Sequence, residues 1–188
     1  MILLQAQVCH QKEFLMIFFI AGAHAVGKST LCNAYVADND CIHRSASQLI
    51  SEGKAQNWGG DKKTASPIDN QIILLQQLDK IRNLNVDLLL DGHFVLIDKQ
   101  NELIDLSEEV FSEMKLDAVI LIECDDSKIE DRFKSRGAEL TYSPEKLRSF
   151  ENANAQKICT SLNIPLCILK EPSADEFKLS IQKFKAGV

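Results

Sequence analysis

Four largely apolar runs punctuate the chain, Phe14 to Ala21, Val86 to Leu90 (broken at Asp87), Ala118 to Ile122 and Leu166 to Leu169, with a weaker one at Cys41 to His43. Runs of this length, bounded by polar or turn residues, suit strands buried on both faces, as in a parallel sheet covered by helices. Between them apolar positions recur at helical spacing. This predicts helices over Lys28 to Val36, Ile68 to Asn83, Ser107 to Met114, Ser127 to Arg136, Pro144 to Leu162 and Ser173 to Phe184. Ser66-Pro67, Asp126-Ser127 and Ser143-Pro144-Glu145 offer capping side chains, two of them with proline in the first turn. Strand and helix alternate throughout, so the expected fold is α/β, with a parallel sheet and right-handed crossovers. Glu52 to Asp69, polar and glycine-containing, reads as a mobile loop or small inserted cap, and Gly137 to Ser143 as a second loop.

A chain of 188 residues suits one sizeable core rather than two. Hydrophobic residues at 45% and charged ones at 26% place it with ordinary globular proteins rather than disordered ones. The formal charge of −6, without a long Lys/Arg run, argues against a nucleic-acid partner but leaves room for a small phosphate pocket. The six cysteines lack C-x-x-C spacing and read as buried thiols, not as disulfides or metal ligands. Phe14 to Ala21 is too short to span a bilayer, and no cleavage-site pattern follows it, so no membrane association is expected. The expected location is the cytoplasm. Met16 is a candidate native start, because Met1 to Glu13 carry little pattern.

Chemistry enters at Gly22-Ala23-His24-Ala25-Val26-Gly27-Lys28-Ser29, which matches G-x-x-x-x-G-K-[ST] between a predicted strand and a predicted helix. Glycines there permit close approach, and backbone amides at the helix start converge on phosphate oxygens. The residues from Gly22 to Thr30 are therefore expected to cradle the phosphates of ATP. In that arrangement Lys28 reaches the β and γ phosphates and Ser29 ligates Mg²⁺. His24 is a candidate substrate contact within the loop.

Such a loop needs an acidic partner for the hydrated magnesium at the end of a neighbouring buried strand. Asp91, closing the run Val86 to Leu90 and followed by Gly92, meets that requirement, while Asp87 is expected to be solvated. His93, next to Gly92, is a candidate for orienting substrate or water.

Four segments together resemble the nucleoside monophosphate kinase group, most closely the short-lid, archaeal-type adenylate kinases and adenylate-kinase-like ATP-binding proteins. They are IAGAHAVGKST, LLLDGH, AVILIECDDSKIEDRFKSRG and SPEKLRSFENANAQKICTSLNIPL. The resemblance implies a single domain with the three-layer P-loop NTPase fold: a five-stranded parallel sheet, order 2-3-1-4-5, with helices on both faces. It also implies a small acceptor-binding insertion over about 44–70 and a short lid over about 132–144. Arg132 and Arg136, one helical turn apart, match the lid arginines that close over ATP, and guanidinium suits spread phosphate charge. The family's second lid arginine has no counterpart at 150–154, Arg148 lying a turn away.

On the acceptor side the resemblance points to a small nucleotide substrate whose phosphate Arg44 would hold, with His43, Lys62, Lys63, Asn70 and Gln71 nearby. A kinase of alcohols would instead be expected to carry a carboxylate near Ile42 to Ser47, where there is none, although Asp91 can serve the same purpose. Three functions stay open: a nucleotide kinase, an ATP-dependent regulatory switch, and a small-molecule hydroxyl kinase. A GTPase is disfavoured, because Ile122-Glu-Cys-Asp-Asp stands where a guanine-reading N-K-x-D motif would follow the strand.

Overall fold

In the computed structural model, residues 15–57, 67–98, 100–137 and 140–187 are described. The chain runs β1 (Ile17–Ala21), α1 (Lys28–Asp38), β2 (Cys41–Ser45), α2 (Ala46–Asn57), α3 (Pro67–Arg82), β3 (Asp87–Asp91), β4 (Val95–Ile97) and β5 (Leu103–Asp105). It continues through α4 (Glu108–Met114), β6 (Ala118–Glu123), α5 (Asp126–Ser135), α6 (Pro144–Ser161), β7 (Leu166–Lys170) and α7 (Ala174–Ala186). Five strands form a wholly parallel sheet in the order β2-β3-β1-β6-β7, with helices on both faces. Counting only these five, the order is the expected 2-3-1-4-5.

The central strands are buried along their whole length because both faces are covered. All five residues of β1 are buried, as are Leu88 to Leu90 of β3 and Ala118 to Ile122 of β6. Each large aliphatic or aromatic side chain withdrawn from water here contributes roughly 1.5–3 kcal/mol. Phe94 stacks on Phe111 with ring centroids 4.5 Å apart, and Phe19 meets both rings edge-on at 5.3 and 5.5 Å. This aromatic cluster sets the course of the chain just after β3.

Asp87 is the first residue of β3 rather than a solvated neighbour. Its Oδ1 accepts from Met16 N at 2.9 Å, its Oδ2 lies 2.5 Å from Lys185 Nζ, and only 11% of the side chain is exposed. Asp117 Oδ2 accepts from Ile17 N at 2.7 Å, so two carboxylates satisfy amides at the entry of β1.

Residues 52–57, expected to belong to a mobile loop or a small inserted cap, complete the helix α2. Gly53 lies inside that helix, where a β-carbon would come within 2.3 Å of Ile73 and 2.8 Å of Gln77 on α3, so its glycine serves close helix packing. The antiparallel β4–β5 pair is also absent from the sequence reading. Its strands are three residues long, and Asp98 Oδ1 closes their connection by accepting from Gln100 N and Glu102 N, each at 2.8 Å. Ser143 caps α6 as expected, accepting from Lys146 N at 3.2 Å, whereas the N-cap position of α5 is Asp125, one residue earlier than expected, and its side chain makes no capping hydrogen bond.

Cys32, Cys124 and Cys159 are buried free thiols, and desolvation pushes Cys159 up to about 11. Among the described residues no helix is long and apolar enough to cross a membrane. Met1 to Glu13, Trp58, Lys62, Lys63 and Ser66 lie outside the described residues.

Candidate active site

The loop between β1 and α1 is shaped by two glycines with positive φ. At Gly22, φ +138°, a β-carbon would lie 2.2 Å from the carbonyl oxygen of Ile122 in β6, so the loop leaves β1 pressed against its neighbouring strand. Gly27, φ +108°, caps α1 without a side chain, which leaves the first amides of the helix open to an anion. Ala23 and Val26 are buried in the core and anchor the loop from beneath, whereas Thr30 is exposed.

Lys28 is buried, and its Nζ donates to Gly22 O at 2.8 Å and Ala23 O at 3.2 Å, folding the side chain back over the loop. Burial lowers its pKa, opposed by the nearby Asp91 carboxylate. Parallel pairing of β1 with β3 sets Ile20 opposite Asp91, and Gly92 N donates to Ile20 O at 3.0 Å. The end of β3 is thereby brought beside the loop. Ser29 Oγ donates to Asp91 Oδ2 at 2.8 Å, and Lys28 Nζ stands 3.7 Å from Oδ1.

His43 approaches from β2, with Nε2 3.8 Å from Asp91 Oδ2 and Nδ1 3.0 Å from Asn33 Oδ1. Burial opposes ionisation of Asp91, but His43, Lys28, Ser29 and His93 around it outweigh burial and hold its carboxyl below its ordinary range. A hydroxyl and an ionised carboxylate in contact are a hard oxygen pair of the kind magnesium accepts. Among the described residues no group of three or more His, Cys, Asp or Glu is placed to hold a metal. An ion bound mainly through nucleotide phosphates needs none.

A cavity of about 620 Å³ opens in front of the loop. Its lining combines Lys28, Ser29, Asp91, His24, His93 and Arg136 with apolar Ile50, Leu74, Leu96, Leu106, Val110 and Met114, and with Ser45, Ser47, Asn70 and Gln71. A second recess of about 480 Å³ shares the loop residues Ala25 to Gly27 and Thr30 and is bounded also by Leu31, Lys128, Arg132, Arg136 and Pro172. Arg132 Nη1 donates to Ala25 O at 2.7 Å, which ties α5 to the phosphate loop. Arg136, at the end of α5, is exposed and lines both spaces.

Arg44 is not brought to this site: it is exposed on β2 and lines neither space, while its neighbours Ser45 to Ser47 form the cavity wall. The physical reason is strand alternation. The parallel register sets Ser45 opposite Asp91 and Arg44 opposite Leu90, so Arg44 takes the face opposite to Asp91. Arg148 is held elsewhere by Asp126, through Nε at 3.0 Å and Nη2 at 3.1 Å.

Glu151 is the residue that sequence reasoning missed. It is wholly buried on α6; its Oε1 lies 3.0 Å from His93 Nδ1, and its Oε2 accepts from Phe94 N at 2.9 Å. Asn154, one turn on, donates to Phe94 O at 2.9 Å. Leu147, Glu151, Asn154, Ala155 and Ile158 share the buried stripe of α6, and a carboxylate on an apolar stripe was the available signal. His24 packs against His93 with ring centroids 4.2 Å apart, and its pKa is pushed down to about 4 by desolvation, then by His93 and Lys28.

No curated protein matches the sequence. Among solved structures, a protein of Chloroflexus aurantiacus provisionally assigned as a kinase is similar at TM-score 0.54 and 13% identity, over 94% of this chain and 99% of that one. A sugar kinase of Janibacter is similar at TM-score 0.51 and 12% identity, over 90% and 94% of the two chains. At such identities the likeness is one of fold. A family model described as an AAA domain matches residues 21–148. Because that match takes in more than half of the chain, including the phosphate loop, the strand ending in Asp91 and the helix bearing Arg132, the protein belongs to the AAA domain family.

Proposed function

We propose that the protein is an ATP-dependent phosphotransferase acting on a small molecule held in the 620 Å³ cavity. The observation that carries this reading is the joining of Lys28, Ser29 and Asp91 in the wall of a cavity large enough for a metabolite. In this reading the amides of Gly22 to Thr30 hold the ATP phosphates, and Lys28 leaves its loop carbonyls for the β and γ phosphates. Ser29 and Asp91 would hold Mg²⁺, which supplies neutralisation of phosphate charge. Arg132 and Arg136 bear on the transferring group from α5, and alignment with charge neutralisation provides the catalysis.

The nucleoside monophosphate acceptor implied by the resemblance needs cations around its own phosphate. The position of Arg44, outside the cavity, lends that version no support, and Lys62 and Lys63 lie outside the described residues. The test is ADP release from Mg²⁺-ATP with AMP, CMP, UMP, neutral nucleosides and simple alcohols, alongside the Lys28→Ala variant. Acceptor-dependent ADP release that Lys28→Ala abolishes is the expected result. Release with water alone would make the protein an ATPase, and no release at all would defeat the reading.

A further inference from the structure

His93 and Glu151 form a pair that phosphate binding leaves unused. A carboxylate only accepts hydrogen bonds, so the 3.0 Å contact from Glu151 Oε1 places a proton on His93 Nδ1 and, in the neutral ring, a lone pair on Nε2. Glu151 cannot swing away: it is buried, and its other oxygen is fastened to Phe94 N. Nε2 has no hydrogen-bond partner among the described residues, and 19% of the His93 side chain is exposed, in the cavity wall.

The location of that lone pair is informative. The His93 ring packs against His24 of the phosphate loop, and the same cavity is lined by Leu74, Leu106, Val110 and Met114. An oriented acceptor atom in a cavity walled by both a phosphate loop and apolar side chains matches a ligand that offers a hydrogen-bond donor at its reacting end on an apolar body. To the neutral ring, a fully ionised phosphate or carboxylate offers only another acceptor. The apolar wall likewise favours an uncharged body.

We propose that the acceptor is an uncharged compound bearing a free hydroxyl on an apolar body, and that His93, held by Glu151, orients this hydroxyl by accepting its hydrogen bond. The proposal rests on the phosphotransferase reading. In the step it describes, a new bond forms between the hydroxyl oxygen and the γ-phosphorus. The bond from that phosphorus to the β–γ bridging oxygen breaks, its electron pair leaving with ADP. One proton is released to solvent, and the product is a phosphate monoester.

The test measures ADP release and phosphoester formation with Mg²⁺-ATP and two groups of acceptors. One comprises adenosine, uridine, 2-phenylethanol and 1,2-hexanediol; the other comprises AMP, UMP and glycerol 3-phosphate. Turnover of at least one neutral alcohol in preference to every phosphorylated acceptor is expected. His93→Gln should lower kcat/KM for that alcohol about a hundredfold, with KM for ATP within about twofold of the parent. Glu151→Gln should do the same, because an amide NH₂ turned to Nδ1 moves the ring proton to Nε2. His93→Gln, at a less buried position, decides the matter where the buried substitution fails to fold. Turnover confined to phosphorylated acceptors, or a His93→Gln enzyme equal to the parent, overturns this proposal and leaves the phosphotransferase reading standing. Lys28-dependent ADP release with water alone overturns both, because it makes the protein an ATPase. ADP release that is absent throughout, or unaffected by Lys28→Ala, overturns both.

Discussion

Ser29 Oγ donates a 2.8 Å hydrogen bond to Asp91 Oδ2, joining the first turn of α1 to the end of β3 across 62 residues of chain. Neither residue reaches the other by local geometry. The parallel pairing of β1 and β3 sets Asp91 opposite Ile20, two residues before the phosphate loop begins. Replacing Asp91 by Asn keeps the shape but removes the charge that would draw a cation. Magnesium-dependent turnover is expected to fall at least about a hundredfold, with nucleotide binding losing most of its magnesium dependence. Calorimetric titration of ATP with and without Mg²⁺ measures the second effect, and unchanged dependence would remove Asp91 from the metal site.

Arg132 and Arg136 stand one turn apart but in different surroundings. Arg132 is tied to Ala25 O at 2.7 Å, so Arg132→Ala loosens the phosphate loop and should weaken ATP binding as well as turnover. Arg136 is exposed and lines both spaces, so Arg136→Ala should leave folding intact and lower kcat by about tenfold or more through lost phosphate charge stabilisation. Separate kcat and KM values for ATP distinguish the two outcomes.

At Gly92 a β-carbon would lie 2.5 Å from Cε2 of Phe19, whose ring is locked edge-on against Phe94 and Phe111. Gly92→Ala is therefore expected to destabilise the fold by about 1–3 kcal/mol. Denaturant unfolding reads this directly; an unchanged midpoint would mean the aromatic cluster yields more easily than its packing implies.

His24 is pushed down to about 4 from its ordinary 6.5, chiefly by desolvation of its ring. The sign follows from proton uptake. Between these values the unfolded chain binds a proton that the folded chain refuses, so the contribution of His24 to stability is complete above pH 6.5 and is lost as pH falls toward 4. Proton NMR of the His24 ring should show a midpoint well below 6.5. In unfolding measurements between pH 6.5 and 4, His24→Asn should lose less stability than the parent.

The legible parts of this protein are those where one stretch of sequence contains its own reason. The phosphate loop needs two glycines, a lysine and a serine at set spacing, and β1, β6 and the Leu88 to Leu90 centre of β3 are buried on both faces, so each reads as an apolar run. β4 and β5 are only three residues long, with too few positions to show an alternation. The α2 helix carries Gly53, a residue that weakens helical propensity and is used here for close packing on α3. Its polar, glycine-containing composition pointed to a loop or a small inserted cap.

By itself the sequence determined that a parallel sheet would deliver a phosphate loop and an acidic strand end. Those features follow from residue type and spacing, which backbone geometry converts directly into strand, turn and helix. Only the tertiary structure decided which side chains share a face. Strand register turned Arg44 away from the cavity, and the packing of α6 carried Glu151, 58 residues distant, onto His93. Contacts of that kind depend on how elements are laid against one another, and no local pattern encodes the relative placement of two elements so far apart in the chain.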